Sequence, residues 1–122
     1  DARVSGRADD RISIRETAHL AGEGARGVLT SRVAVREQAQ AEVHNELTAD
    51  ADGASGHVDC KEIVRDQAVA AAIPVVYVRH PRAHVTHEAA VGSVDHKQLE
   101  TLMARGLDED QAVALIIEGL LA

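Results

Sequence analysis

Three residues in this chain form a candidate set of ligands for a transition metal. Cys60 is the only cysteine among the 122 residues, and His87 and Glu88 stand next to each other further along the chain. Thiolates are the usual ligands of iron–sulfur clusters, and a histidine can replace a cysteine on one iron. Imidazole and carboxylate groups also bind iron or zinc. A metal or cluster site is therefore one interpretation of this set.

Each of the three residues also has an ordinary structural interpretation. A cysteine that alternates with Val58 along a strand is typical of a small core residue. His87 is one of seven histidines, and a single histidine in a strand is usually a surface residue. Neighbouring residues of a regular strand point to opposite faces, so His87 and Glu88 reach one metal only at a bulge or a strand end. The residues alone leave both interpretations open.

The number of sulfur ligands limits what kind of site is possible. One chain supplies one thiolate, whereas a stable cluster generally has four protein ligands, most of them cysteines. A conventional ferredoxin-like cluster holder is therefore excluded. Any cluster bound here needs ligands from a second chain or from small thiols. We expect such a site to bind weakly and to release its cargo readily.

Short strands are predicted to carry these residues, because apolar and polar side chains alternate between Arg11 and Thr86. Turn-prone residues interrupt the alternation at positions 22–24, 50–56 and 80–81. No exact repeat is visible. The apolar residues are small or branched, which fits a β-solenoid as well as a sandwich or jelly roll. Periodicity alone does not separate these architectures.

Two short helices are predicted after the strands. Asp95 and Asp108 are good N-cap residues, and each has a glutamine three positions later, as in a capping box. Gly106 is predicted to end the first helix. So short a pair of helices cannot bury its apolar stripe alone. We therefore divide the chain into a β core, residues 1–92, and a helical subdomain, residues 93–122, that packs on the sheet, on a partner, or on both.

Composition excludes several functional classes. The net charge is −7, which argues against nucleic acid or an anionic membrane as a partner, since both attract basic surfaces. A single cysteine excludes an internal disulfide framework. The sequence has no apolar run long enough for a transmembrane helix, and its first residues do not resemble a signal peptide. We expect a cytoplasmic protein.

The ordered motifs of the second half resemble a known family. They are Asp59 to Val64, Ile73-Pro74, Val85 to Gly92, Gln98-Leu99, Arg105-Gly106-Leu107 and Ile116 to Gly119. This set is similar to the carboxy-terminal part of the SufB/SufD family, whose members are scaffold components of iron–sulfur cluster assembly. The resemblance extends over residues 11–121, and its specific part runs from Cys60 to Gly119.

The resemblance implies a mainly β fold, a right-handed parallel β-helix followed by a small pair of helices. It also implies pairing through the β-helix, as a homodimer or as a SufB/SufD-type heterodimer. The helical tail would contact an ABC-type ATPase, SufC, which hydrolyses ATP, so the chain itself is not an enzyme. Cys60, His87 and Glu88 match the family's candidate cofactor and metal ligands, for a transient iron–sulfur cluster at a subunit interface.

Four departures from the family pattern affect these expectations. Glu100 and Thr101 stand where the family usually has aromatic residues, and Leu120 stands where it usually has phenylalanine. Family members also have a longer amino-terminal part and more helix at the end, so the chain resembles a fragment of a longer protein. The ATPase contact is therefore expected to be altered, and the SufB or SufD branch is not assigned.

Two other functional classes fit parts of the sequence. The first is a structural β-solenoid that assembles end to end without cluster chemistry, although a helical tail blocking one end would oppose this. The second is a β-helix enzyme that acts on acidic polysaccharide. Such enzymes need aromatic platforms for sugar rings, and aromatic residues make up 1% of this chain. The second class is therefore disfavoured.

Overall fold

The computed structural model describes residues 1–122, which form seven strands followed by two helices. The strands are β1 (Ala2–Gly6), β2 (Arg11–Leu20), β3 (Arg26–Val35), β4 (Gln40–Ala49), β5 (Ser55–Val64), β6 (Val69–Val78) and β7 (His84–Gly92). The helices are α1 (His96–Ala104) and α2 (Glu109–Leu121). Neither helix is long and apolar enough to cross a membrane.

Successive strands alternate between two parallel sheets. Sheet A has the order β1-β3-β5-β7, and sheet B has the order β2-β4-β6. Residues paired between neighbouring strands lie 29 positions apart, as Ser31 and Cys60 do. The chain is therefore a parallel β-solenoid of about three coils. This confirms the predicted fold class, and it excludes the sandwich and jelly roll, whose sheets are antiparallel.

The turns repeat with the same interval as the strands. Ala8, Glu37 and Asp66 have positive φ angles of 52°, 62° and 60°. The Glu37 carboxylate accepts a hydrogen bond from the Ala8 amide at 2.6 Å, and the Glu37 amide donates to Asp66 at 3.0 Å. The first two turns are thus each held by an acidic side chain of the next coil. These bonds offset part of the strain of a left-handed backbone at residues other than glycine.

Aliphatic side chains fill most of the space between the two sheets. One cluster contains Leu20, Leu47, Ala49, Ala54, Val58 and Cys60. A second contains Val33, Val35, Ala39, Ala41, Val43 and Ala68. Because the interior holds no aromatic ring, it is filled in thin layers in which small residues stand opposite larger ones.

Gly56 gives a direct test of this close packing. A Cβ atom at Gly56 would lie 2.8 Å and 2.9 Å from the two Cδ atoms of Leu47. We expect Gly56→Ala to lower the free energy of unfolding by about 1–3 kcal/mol, the usual effect of overpacking. Urea unfolding measures this change. Gly22→Ala is the matched control, because nothing lies within 4 Å of a Cβ there, and an equal loss in both variants would contradict the argument.

The two helices pack on the outer face of sheet A, near the ends of β3 and β5. Leu99, Ala112, Val113 and Ile117 form a buried cluster with Ala34, and Ile63 packs against it. Both predicted N-caps are confirmed, but only the second forms the full capping box that was predicted for each helix. Asp95 accepts from the Gln98 amide at 2.8 Å, Asp108 and Gln111 form a reciprocal capping box, and Gly106 has φ +99°.

Candidate functional site

Strand register places Cys60 and His87 on the same face of sheet A. Cys60, in β5, pairs with Ala89 of β7, and His87 pairs with Val58. Val58 and Cys60 both point into the solenoid and are fully buried, so His87 also lies on the inward face. Strand spacing and the rise per residue put the Cα atoms of Cys60 and His87 about 8 Å apart.

Glu88 lies on the opposite face of the same strand. It pairs with Asp59, its side chain is exposed, and it points away from the interior. The structure therefore brings Cys60 and His87 together on one face and leaves Glu88 on the other, as regular alternation requires. No group of three or more histidine, cysteine, aspartate or glutamate side chains is arranged to hold a metal within the chain.

The thiol of Cys60 is enclosed by the core. Its residue is 0% exposed, and it belongs to the aliphatic cluster around Leu47. The Asn45 Nδ2 group donates to its Sγ at 3.4 Å. Burial raises the pKa of the Cys60 thiol, and a hydrogen bond with Ser31 offsets only part of this effect. In the single chain, Cys60 is therefore a protonated core residue and a poor ligand for a metal in solution.

Only one strand separates Cys60 from the open end of the solenoid. No further strand covers β7, whose inward residues His87, Ala89 and Val91 are exposed. Neighbouring strands lie about 4.8 Å apart, so Cys60 is one such step below a surface. Uncovered strand edges are surfaces on which another chain can add. A second chain placed here would add its side chains within reach of His87 and close to Cys60.

The solenoid also contains polar side chains that the sequence analysis did not select. Glu62 is 2% exposed, and neither of its carboxylate oxygens has a hydrogen-bond partner. Asn45 is fully buried, and its Oδ1 atom is also unpartnered. Burial raises the pKa of Glu62. Strand alternation in the sequence could have predicted that these two side chains point inward. Glu62 lies on the same strand face as Val58 and Cys60, and Asn45 lies on the same face as Leu47.

The sequence matches a protein family over nearly its whole length. A family model described as "SUF system FeS cluster assembly, SufBD core domain" matches residues 6–120. The chain belongs to the SufBD family. This confirms the resemblance drawn over residues 11–121, whose specific part runs from Cys60 to Gly119.

Archaeal members of the SufBD family are similar over nearly the whole chain. An iron–sulfur cluster assembly SufBD family protein of Methanocaldococcus jannaschii is 43% identical over 113 residues, which are 93% of this chain and 36% of that protein. One from Pyrococcus horikoshii is 40% identical over 121 residues, 99% of this chain and 37% of that protein. The SufB protein of Bacillus subtilis is 31% identical over 72 residues, 58% of this chain and 16% of that protein. The chain thus spans little more than a third of the archaeal relatives.

Proposed function

We propose that this SufBD family chain is a scaffold on which a transient iron–sulfur cluster forms between two chains. Cys60 and His87 are its ligands from one chain, and a second chain supplies the others. Family membership supports a role in iron–sulfur cluster assembly. The observation that carries the finer proposal is that Cys60 and His87 share the inward face of sheet A, next to its open end.

In this proposal the two chains pair through the last coil, and the apolar surface exposed there supports it. The exposed residues at this end include Ile73 and Tyr77 of β6 and Val91 of β7, which are 39%, 42% and 53% exposed. Covering such apolar surface stabilises an interface by about 25 cal/mol per Å². Either a second copy of the chain or a related subunit would place its own ligands against His87. A cluster held in this way is shared by two chains and is released when they separate.

Glu88 could bind the proposed cluster only if the backbone conformation of β7 changes. It faces away from Cys60, and a regular strand keeps it there. Edge strands twist and bulge more readily than central ones, and β7 has a neighbour on one side only. We propose that pairing distorts β7 near Glu88 and turns its carboxylate towards the cluster.

The helices are proposed to bind an ABC-type ATPase that resembles SufC. A cavity of about 590 Å³ lies between α1 and α2, and Leu102, Leu115 and Ile116 contribute its apolar lining. ATP hydrolysis belongs to that partner in this proposal, and the chain itself turns over no substrate. The free thiol of Cys60 fits a reducing cytoplasm, which is where we place the assembly.

Anaerobic reconstitution with iron and sulfide tests the proposed ligands. We expect the wild-type chain to form a labile visible chromophore, because its cluster has few ligands. Cys60→Ala and His87→Ala should reduce this absorbance several-fold. His84→Ala is the matched control, because His84 is an exposed histidine on the outward face of the same strand. Equal colour in the wild type and in Cys60→Ala would remove Cys60 from the mechanism.

A self-assembling solenoid is the second candidate, and the open end of the fold favours it. The helices pack on the outer face of sheet A and leave the inward side of β7 exposed. The tail therefore leaves this end of the solenoid open, contrary to the expectation that it blocks one end. Light scattering and electron microscopy separate the two candidates. Filaments of the purified chain would favour self-assembly, and a discrete dimer would favour the scaffold.

A further inference from the structure

A carboxyl group without a partner lies inside the solenoid, on the same face of β5 as the Cys60 thiol. Glu62 follows Cys60 by two residues, so both side chains project from the same face of β5. Glu62 is 98% buried, and both of its oxygens lack a hydrogen bond. Leaving a buried polar group unpaired costs about 1–3 kcal/mol. The position of Glu62 on the same strand face as Cys60 suggests that its oxygens bind a partner when the protein is functioning.

An amide group lies on the other side of the same thiol. Asn45 projects inward from β4 of the facing sheet, and its Nδ2 atom donates to Ser31 Oγ at 3.3 Å and to Cys60 Sγ at 3.4 Å. Its Oδ1 atom has no partner. A half-turn of the amide exchanges these two atoms and would bring the oxygen towards the sulfur. The surroundings of Cys60 therefore contain three oxygen atoms that receive no hydrogen bond.

We propose that Cys60, Glu62 and Asn45 form an interior site for a single ferrous ion. The identity of the ion rests on the proposed role in cluster assembly. A thiolate, a carboxylate and an amide oxygen together suit a divalent ion of the first transition series. The site shares Cys60 with the proposed cluster site, but its other ligands differ, because Glu62 and Asn45 belong to the interior and neither needs a second chain.

The charges balance when such an ion binds. The thiol of Cys60 and the carboxylic acid of Glu62 each release one proton, and the divalent ion takes the place of both. The interior is electrically neutral before and after, so the low-dielectric core holds no uncompensated charge. No electron is transferred, and the iron remains ferrous. Binding also provides the missing partner for the Glu62 oxygens.

The open end provides a route to this site. The residue of β7 that pairs with Cys60 is Ala89, and the one that pairs with Glu62 is Val91. Both are exposed on the inward face, so β7 is the only strand between the site and solvent on that side. His87 lies on the same face, where an ion leaving the interior would meet it first. The interior site would thus supply iron to the cluster ligands.

Cobalt binding tests the proposal without any assembly reaction. Co²⁺ replaces Fe²⁺ in sites of this kind, and a bond to a thiolate gives it a near-ultraviolet charge-transfer band that histidine sites do not give. We expect this band on anaerobic titration of the full chain with Co²⁺ alone. Glu62→Gln should weaken the affinity about tenfold to a hundredfold, as loss of a ligand or of its support does. Cys60→Ala should abolish the band.

Glu42→Gln is the matched control, because Glu42 is an exposed carboxylate on the outward face of β4, and the cobalt affinity of this variant should equal that of the wild type. Glu62→Met provides a second variant with an apolar side chain, should the glutamine variant fold poorly, and it should also lose affinity. Absence of the band in the wild type, or equal affinity in the wild type and both Glu62 variants, would overturn the interior site.

The two proposals fail in different ways. Suppose that the reconstituted chromophore is lost in Cys60→Ala and His87→Ala, while the Glu62 variants bind cobalt as the wild type does. The interior site is then wrong and the scaffold proposal stands. If the cobalt band depends on Cys60 and Glu62 while His87→Ala leaves the chromophore intact, the interior site stands and the proposed cluster ligands are wrong.

Discussion

Replacing Glu62 with methionine is expected to raise the free energy of unfolding by about 1–3 kcal/mol, the cost of leaving a buried polar group unpaired. Both carboxylate oxygens of Glu62 are buried without a partner. Methionine has a similar length, is flexible enough to fill the same space, and carries no group that needs a hydrogen bond. Exchanging an unfavourable buried polar group for an apolar side chain of similar volume is often stabilising. Urea unfolding of the metal-free chain measures the difference.

The gain from Glu62→Met should depend on pH. Burial raises the pKa of Glu62 in the folded chain above its unfolded value, so the folded state holds this proton more tightly. The contribution of Glu62 to stability is therefore fully present below the unfolded pKa and is lost as the pH rises through the folded pKa. We expect a small gain from methionine near the ordinary glutamate pKa, about 4.3, and a larger gain at neutral and alkaline pH.

Glu88→Met is the control for this pH series, because the Glu88 side chain is exposed. Surface substitutions of this kind usually change stability by less than about 0.5 kcal/mol. A Glu62→Met gain that is the same in acid and in alkali would show that Glu62 has a partner for its charge. A stability loss in the variant would show that the carboxyl group is held by bonds within the fold.

Glu62 is expected to affect both the stability of the metal-free chain and its affinity for cobalt. If methionine makes the metal-free chain more stable and also removes cobalt binding, then Glu62 is kept at the expense of stability. Such an exchange of stability for activity is common at functional sites. This combined result would show that Glu62 has a functional role, unlike residues such as Leu47, which are buried for packing alone.

Much of the fold follows from sequence features that depend on local physics. Alternating side chains predict strands because alternate residues of a strand face the core, and the aspartate caps and Gly106 predict both helices. The coil length was missed, although Val35 to Ala39 and Val64 to Ala68 read VREQA and VRDQA, 29 positions apart. Any aliphatic residue fills the interior, so the strands diverge and only the turns keep a repeat.

The site was harder to predict because it depends on which strand is the last one. A coil of 29 residues pairs Cys60 with Ala89, so His87 could have been placed on the inward face beside it. Cys60 is buried because β7 covers β5, whereas His87 is exposed because no strand lies beyond β7, and local sequence shows neither. The inward position of Glu62 follows from alternation with Cys60. Its lack of a partner depends on residues far away in sequence.

Introducing a charge at Val113 is expected to detach the helical tail from the solenoid. Val113 is 1% exposed and packs in the cluster that joins α2 to Ala34 of β3. Val113→Asp removes about 1.5–3 kcal/mol of apolar burial and places an unpaired carboxylate against the sheet, so the total loss should exceed about 3 kcal/mol. Isolated helices as short as α2 are marginal in water. The variant should therefore lose helical circular dichroism and become sensitive to proteolysis after Gly92.

Leu115→Asp is the matched control in the same helix. Leu115 is 46% exposed and lines the cavity between α1 and α2, which is the proposed ATPase groove. Its substitution should leave the helix content unchanged and the free energy of unfolding within about 0.5 kcal/mol of the wild-type value. The two variants together separate folding of the tail from docking of a partner. If the proposed ATPase binds in the groove, both variants should lose that binding, although only Val113→Asp loses the helices. Retained ATPase binding by a folded Leu115→Asp variant would place the contact on another surface of the chain.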